Sequence, residues 1–463
     1  MTPITARRTF RRTLQLPVPV ETLFAWHERP GAFLRLSPPW DAPRILEQVG
    51  GIRDGARVTL QVQAGPIPTR WRLTHRDYRQ NAQFVDELLE GPFAHWVHTH
   101  RFIANGPQQS TLDDEIAYAL PLGALGDAVA WRFAEATLDR VFRYRHAVTA
   151  GDIARHALWA ERPRLRVAIT GATGFIGTQL AAFLSTGGHE VVRIGRGPVS
   201  PGRVDLSWDP MRGQLDAAAL EGVDAVIHLA GASIAERWSA SHRAAIRDSR
   251  VQGTALLART LASLSRRPAV LLSGSAIGIY GNAGDSELTE TSPVGTDFLA
   301  DVGERWEAAT APAEAAGIRV VHLRTGIVQG AAGGALAAQK PLFAVGLGGR
   351  LGSGHQWISP IALDDWIGAV HFLLMRDDLA GPFNIVGPTP VTNASFTTTL
   401  AQVMHRPALV PAPAFALRLA LGGDMADATV LTSQRVLPTR LLASGFVFRH
   451  PTLDAMLRFE LGA

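Results

Sequence analysis

An apolar stretch, Arg166–Thr170, runs straight into Gly171-Ala172-Thr173-Gly174-Phe175-Ile176-Gly177 and then into a helical run, Thr178–Ser185. Few folds accept three glycines at that spacing between a buried strand and an apolar helix. Gly171 suits a tight turn, Gly174 lets backbone amides approach a bound group, and Gly177 lets the helix pack close to the strand. Free amides at the helix start, aligned with its dipole, favour a phosphate. Downstream, EVVRI, AVIHLA, AVLLSG and IRVVHLR alternate with helical segments. These runs are continuously apolar, as expected of parallel strands covered on both faces. Residues 165–463 are therefore read as α/β, a doubly wound parallel Rossmann sheet with a small C-terminal substrate lobe (about 382–463). In that context Gly171, Thr173, Gly174, Phe175, Ile176 and Gly177 form the expected cradle for a dinucleotide pyrophosphate.

The second strand, Glu190–Ile194, decides between cofactors. A carboxylate at its end would bond the adenosine ribose of NAD, but the strand runs into Gly195-Arg196. An arginine there can pair bidentately with a 2′-phosphate that an acid would repel. The expected cofactor is NADP(H), with Arg196 on the phosphate.

Residues 1–155 read differently. Arg8–Leu16 is a strand candidate whose Arg7, Arg8, Arg11 and Arg12 form a solvated face, and a helix from Pro19-Val20-Glu21 runs to Trp26. Further strands are expected at Arg57–Gln63, Arg70–Tyr78, Gln83–Leu89, His95–Ala104 and Thr111–Leu120, divided by Gly, Pro and Asn signals. A long helix, Ala128–Val148, carries Val129, Phe133, Leu138, Val141 and Phe142 at helical spacing. This order resembles the helix-grip fold of the START and polyketide-cyclase superfamily, an α+β domain with room for an apolar ligand between sheet and helix. HALWAERPR, residues 156–164, is the expected linker.

Beyond the glycine loop, WDP at Trp208–Pro210 and DAVIHLAG ending at Gly231 resemble the extended short-chain dehydrogenase/reductase superfamily, the NAD-dependent epimerase/dehydratases. RW at Arg237-Trp238, DSRVQGT at Asp248–Thr254, SGSAIGIYG at Ser273–Gly281 and GLGGRLGSGHQW at Gly346–Trp357 are similar to its "epimerase family" oxidoreductase-like subgroup. The resemblance implies that Leu229, Ala230 and Gly231 pass the cofactor ribose at the end of the fourth strand. It places Ser273 and Ser275 beside the nicotinamide, and Thr325, Gly326 and Ile327 against the carboxamide. Asp205 and Leu206, taken to follow the third strand, border the adenine.

The superfamily's catalytic pair does not carry over. Extended members use a tyrosine, a lysine four residues later, and commonly a glutamate four beyond that. Glu307 aligns with the glutamate, which puts Leu299 and Gly303 where the tyrosine and lysine would stand. Leucine has no proton to give and glycine no charge to lower a tyrosine's pKa. Ser275 keeps a hydroxyl, and Tyr280 is the candidate substitute proton donor. The subgroup's Trp-Ile-His sequence before two acids is Pro360-Ile361-Ala362 here, so its histidine is missing. Two readings stay open: an NADP(H)-dependent oxidoreductase or epimerase-like enzyme acting on a small molecule, and a non-catalytic NADP(H)-dependent binding or regulatory module.

Composition excludes other classes. Of the 45 basic residues 44 are arginine, and Lys340, the one lysine, has leucine at 336, so no tyrosine precedes a lysine by four. The formal charge of +4 over 463 residues, without a polybasic module, does not suggest nucleic-acid binding. There is no cysteine for disulfides, thiolate metal sites or a thiol nucleophile. No apolar run reaches the roughly 18 residues of a membrane span, so a cytoplasmic location is expected. In His95-Trp96-Val97-His98-Thr99-His100, His98 and His100 share one strand face, but no third ligand is evident in sequence. Aromatic lining or packing is preferred there, and no metal is expected. Oligomeric state is not encoded legibly.

Overall fold

The computed structural model describes residues 8–41, 43–64, 67–121 and 123–463; Arg7 and the side chain of Val129 lie outside the described set. The chain divides into two compact units, one built mainly from residues before Pro163 and the other mainly from Pro163 onward.

The first unit contains β1 (Arg8–Leu16), α1 (Val20–Glu28), α2 (Ala32–Leu36), β2 (Arg44–Val49) and β3 (Arg57–Ala64). It continues with β4 (Ile67–Arg79), β5 (Gln83–Glu90), β6 (His95–Gly106), β7 (Gln109–Ala119) and the 35-residue α3 (Gly123–Ala157). The strands form one antiparallel sheet in the order β1-β7-β6-β5-β4-β3-β2. Alternation sets its inner face: Trp96, His98, His100 and Phe102 are buried along β6 while their neighbours are partly exposed. Leu138 and Phe142 of α3 pack on Phe10, Trp96, Ile116 and Tyr118. One strand was not expected from sequence, and one helix exceeds its expected extent. Exposed throughout, the edge strand β2 shows no inward alternation by which to find it. Helix α3 continues through Gly151, because Val148 and Ile153 are almost fully buried and Asp152 takes a buried bidentate pair from Arg35 on α2. Burial of that order outweighs the roughly 1 kcal/mol a mid-helix glycine costs.

The second unit begins β8 (Arg166–Thr170), α4 (Phe175–Thr186), β9 (Glu190–Gly195), β10 (Leu206–Asp209), β11 (Gln214–Leu215) and β12 (Ala225–His228). Then come α5 (Ala240–Ser263), β13 (Val270–Ala276), β14 (Glu287–Leu288), α6 (Phe298–Ala308), α7 (Ala311–Ala315) and β15 (Arg319–Thr325). Next are β16 (Ile327–Gly330), α8 (Gly334–Ala344), β17 (Trp357–Ile358), β18 (Pro360–Ala362), α9 (Leu363–Met375) and β19 (Gly381–Ile385). The chain closes with β20 (Val391–Thr392), α10 (Asn393–Met404), α11 (Ala414–Leu421), α12 (Gly423–Ala428), β21 (Arg435–Val436), α13 (Thr439–Ala443) and α14 (Leu453–Leu461). The large sheet runs β11-β10-β9-β8-β12-β13-β15-β19, parallel except for the terminal β11. β19, at the head of the range expected for the C-terminal lobe, is thus the last strand of this sheet. Strand order reverses between β8 and β12, and such a switch point opens a crevice at the carboxyl ends of the strands.

Candidate functional site

The glycine loop lies at that crevice. Gly171 has φ +71°, and a Cβ there would stand 2.9 Å from the Leu229 carbonyl carbon. At Gly177 a Cβ would meet the Gly171 carbonyl oxygen at 2.2 Å, so the first turn of α4 packs on the β8 turn with no room for a side chain. Thr173 and Gly174 are exposed at the helix start, leaving the loop open to a ligand. Phe175 faces elsewhere: its ring fills the space that side chains at Gly330 and Gly333 would occupy, tying the loop to the β16–α8 turn. Ile176 is half-buried behind it.

Thr170 joins the two strands of the switch point. Fully buried at the end of β8, its Oγ1 accepts from the amides of Leu229 (3.1 Å) and Ala230 (3.2 Å). It also lies 2.6 Å from Nδ1 of His228, whose burial lowers its pKa to about 4 and keeps the imidazole neutral. Leu229 and Ala230 are half-buried and Gly231 is exposed. Arg250, on α5, reaches this edge and donates to the Ala232 and Ile246 carbonyls at 3.0 and 3.1 Å, its guanidinium 5.0 Å from the Trp306 ring. Burial lowers Arg250 to about 10, and among the described residues no carboxylate pairs with it. Neither Thr170 nor Arg250 was singled out from sequence, because strand ends and helix faces have to be brought together before their contacts are visible.

Arg196 follows the last residue of β9 and is exposed. Asp205 and Leu206 sit at the start of β10 rather than after it. The Asp205 carboxylate accepts from the Arg193 amide (2.8 Å) and guanidinium (3.3 Å), and the next residue, Leu206, stands level with Ile194 and, through it, with Thr170 at the end of β8. Trp208 and Asp209 lie further along, at the carboxyl end of β10. Thr325, Gly326 and Ile327 link β15 to β16, and a Cβ at Gly326 would stand 2.6 Å from both the Ser359 carbonyl oxygen and Val386.

Around the end of β13 a polar chain replaces the missing pair. Ser275 donates to Glu307 Oε1 at 2.6 Å. Arg324 grips the same carboxylate through Nε (2.8 Å) and Nη2 (2.9 Å), and its Nη1 donates to Tyr280 Oη at 3.0 Å. Tyr280 in turn donates to Asn384 Oδ1 at 2.7 Å. Burial alone would raise Glu307; the hydrogen bonds from Arg324 and Ser275 outweigh it and hold the carboxyl below its ordinary range. Burial pushes Tyr280 up, against the opposing charge of Arg324. With 4% exposure and both hydrogen-bonding roles of its hydroxyl engaged, Tyr280 is ill placed to hand a proton to a ligand in the crevice. Ser273 is buried within β13, level with His228 at the end of β12 and, through it, with Thr170 at the end of β8. The positions of the usual pair are filled by packing: a Cβ at Gly278 would touch Leu299, and one at Gly303 would stand 3.0 Å from Ile279.

The first unit holds a second polar cluster. Asp86 pairs with His98 across β5 and β6, and His100 with Asp114 across β6 and β7. His98 and His100 are each 3.2 Å from Asp86, and His146 of α3 lies 3.1 Å from Asp114. Burial opposes charge on His100, but Asp114 and Asp86 outweigh it and raise it to about 9. A carboxylate that the sequence did not connect to the pair, Asp86, thus faces both His98 and His100.

Comparison with known proteins agrees with this architecture. Residues 167–344 match the NAD dependent epimerase/dehydratase family, residues 16–142 the polyketide cyclase / dehydrase and lipid transport family, and residues 412–460 a domain of unknown function. An epimerase family protein of Mycobacterium bovis is 43% identical over 294 residues, covering 63% of this chain and 96% of its own length. A crystal structure described as a nucleoside-diphosphate sugar epimerase from Corynebacterium glutamicum is 32% identical, with a TM-score of 0.81. That match covers 98% of this chain and 90% of that one. The human epimerase family protein SDR39U1, solved with NADPH, is 33% identical with a TM-score of 0.59, covering 64% of this chain and 99% of its own. Fold and site together define an NAD(P)-dependent, epimerase-like Rossmann protein joined to a polyketide-cyclase-like domain. The chain belongs to the NAD dependent epimerase/dehydratase family. No described helix is long and apolar enough to cross a membrane.

Proposed function

We propose that the chain binds NADP(H) in the β8–β12 crevice and acts as an oxidoreductase or epimerase-like enzyme on a small molecule. The reading rests on one observation above others: an open glycine cradle at the switch point, with Arg196 where NAD-selective sites carry an acid. The start of α4 and the amides of Thr173 and Gly174 receive the pyrophosphate, Arg196 the 2′-phosphate, and Leu229 to Gly231 line the ribose. Thr325 to Ile327 flank the carboxamide. The solved human relative with NADPH supports the choice of cofactor. A bound nicotinamide supplies hydride transfer. Ser275, its proton given to Glu307 in a hydrogen bond, orients a substrate hydroxyl by accepting from it, with Glu307 and Arg324 as positioning residues that fix the serine. Proton exchange runs through solvent rather than Tyr280. The first unit holds an apolar ligand between its sheet and α3.

The packing of Leu299 and Gly303 favours a second reading, a non-catalytic NADP(H)-dependent binding module, because no side chain at 303 fits without displacing Ile279. A screen of carbonyls and alcohols with the NADPH-loaded protein separates the two. Oxidation of NADPH by at least one carbonyl class supports the enzyme; tight NADPH binding with no turnover across the screen supports the module.

A further inference from the structure

Outside the crevice, the densest collection of metal-ligating side chains in the described molecule is buried in the first unit. His98 and His100 stand two apart on β6, so they share its inner face, and the flanking strands each set one carboxylate against them. The two imidazoles are oriented in opposite senses. His98 turns Nδ1 toward Asp86 and Nε2 toward Asp114; His100 turns Nε2 toward Asp86 and Nδ1 toward Asp114. One nitrogen of each ring thus converges with an Asp86 oxygen, and all three donor atoms lie within 4.8 Å of one another. Donors bound at about 2.1 Å to one ion stand roughly 3.0–3.4 Å apart, and both nitrogens are 3.2 Å from Asp86 Oδ2. The opposite nitrogens face Asp114, which supplies the carboxylate that commonly orients a metal-bound histidine from behind.

A second observation points the same way. The side chain of His100 is 10% exposed and that of His98 3%. His100 Nδ1 is 2.6 Å from Asp114 Oδ1, an ion-pair contact that is not aligned as a hydrogen bond. The cluster is therefore not a network closed by hydrogen bonds alone. The two carboxylates face the imidazoles of His98, His100 and His146 and the guanidinium of Arg145 on α3. Phe84 stacks on His100 at 4.2 Å and Phe142 meets His98 edge-on at 5.4 Å, which walls the group from water.

We propose that Asp86, His98 and His100 bind a single divalent transition-metal ion of the zinc type, with Asp114 as the positioning carboxylate. Two nitrogens and one carboxylate suit that ion and leave at least one coordination position open. A ligand oxygen taking an open position would be polarised by the ion.

The test uses the full chain. Metal-free protein is titrated with Zn(II) against a chromophoric chelator and separately with Co(II), whose ligand-field absorption reports its ligands. The expected result is one ion per chain, with Co(II) bands of a nitrogen- and oxygen-ligated site. Asp86→Ala and His98→Ala abolish that binding, Asp114→Asn weakens it about 10–100-fold, and His355→Ala, at an exposed histidine, leaves it unchanged. Circular dichroism confirms the fold of each variant, and the Co(II) spectrum of the wild type stands independently of them. Absence of stoichiometric binding by the wild type overturns the proposal. Binding that survives in folded Asp86→Ala overturns it as well.

Discussion

The Ser275 hydroxyl donates to the Glu307 carboxylate at 2.6 Å, joining the end of β13 to the last turn of α6. Through Arg324 that carboxylate is also coupled to Tyr280, so the polar groups left around the vacated tyrosine and lysine positions act as one unit. Glu307→Gln leaves Arg324 buried without a full counter-charge and should destabilise the protein by about 3–5 kcal/mol. Ser275→Ala removes one hydrogen bond to a charged group and should cost about 1.5–3 kcal/mol. Chemical denaturation measures both, and a smaller loss for Glu307→Gln than for Ser275→Ala would contradict this ordering.

Tyr280→Phe separates a packing role from a catalytic one. Losing the hydroxyl strands Asn384 Oδ1 and an Arg324 N–H, a cost of about 1–3 kcal/mol. The expected variant is less stable, binds NADPH normally and turns over any substrate at the wild-type rate below its unfolding temperature. A large fall in kcat with the fold intact would restore Tyr280 as the proton donor.

How much of this was legible in the sequence differs from element to element. The glycine loop and the apolar β-runs were, because turn sterics and two-sided burial write directly into residue type. Arg196 was legible for the same reason: it stands one residue past a strand whose end was clear. Helix α3 was found but cut short at both ends, since Gly151 reads as a stop until the burial of Val148 and Ile153 is known. Asp205 was placed on the wrong side of β10 because an irregular loop precedes that short strand. The pairing of Asp86 with His98 was invisible, as it depends on the register of two separate strands. Likewise, Tyr280 looked available in the chain and is enclosed in the fold.

The glycines of the cradle should respond differently to alanine. At Gly177 the added methyl would meet a carbonyl oxygen at 2.2 Å, so Gly177→Ala should cost about 3 kcal/mol or prevent folding. Gly174 is exposed and its nearest contact would be 3.3 Å. Gly174→Ala should keep the melting temperature within a few degrees while weakening NADPH binding about tenfold, as read by titration calorimetry.

His228 makes stability depend on pH. Its folded pKa of about 4 lies below the ordinary 6.5, so below pH 6.5 the unfolded state takes up a proton that the folded state refuses. Stability from this group is present above pH 6.5 and falls as pH drops toward 4, by about 2 kcal/mol at pH 5. His228→Gln should flatten that part of the profile between pH 7 and 5, measured by urea denaturation. An unchanged slope would mean that His228 is protonated in the fold.

The central claim, an NADP(H) site read by Arg196, is tested most directly by the ratio of dissociation constants for NADPH and NADH. Equilibrium fluorescence titration of wild type and Arg196→Ala gives both. The account predicts a wild-type preference for NADPH of at least about tenfold, since one charge-assisted pair contributes roughly 1.5–3 kcal/mol, and its loss in the variant with NADH affinity unchanged. An equal ratio in the two proteins would contradict it.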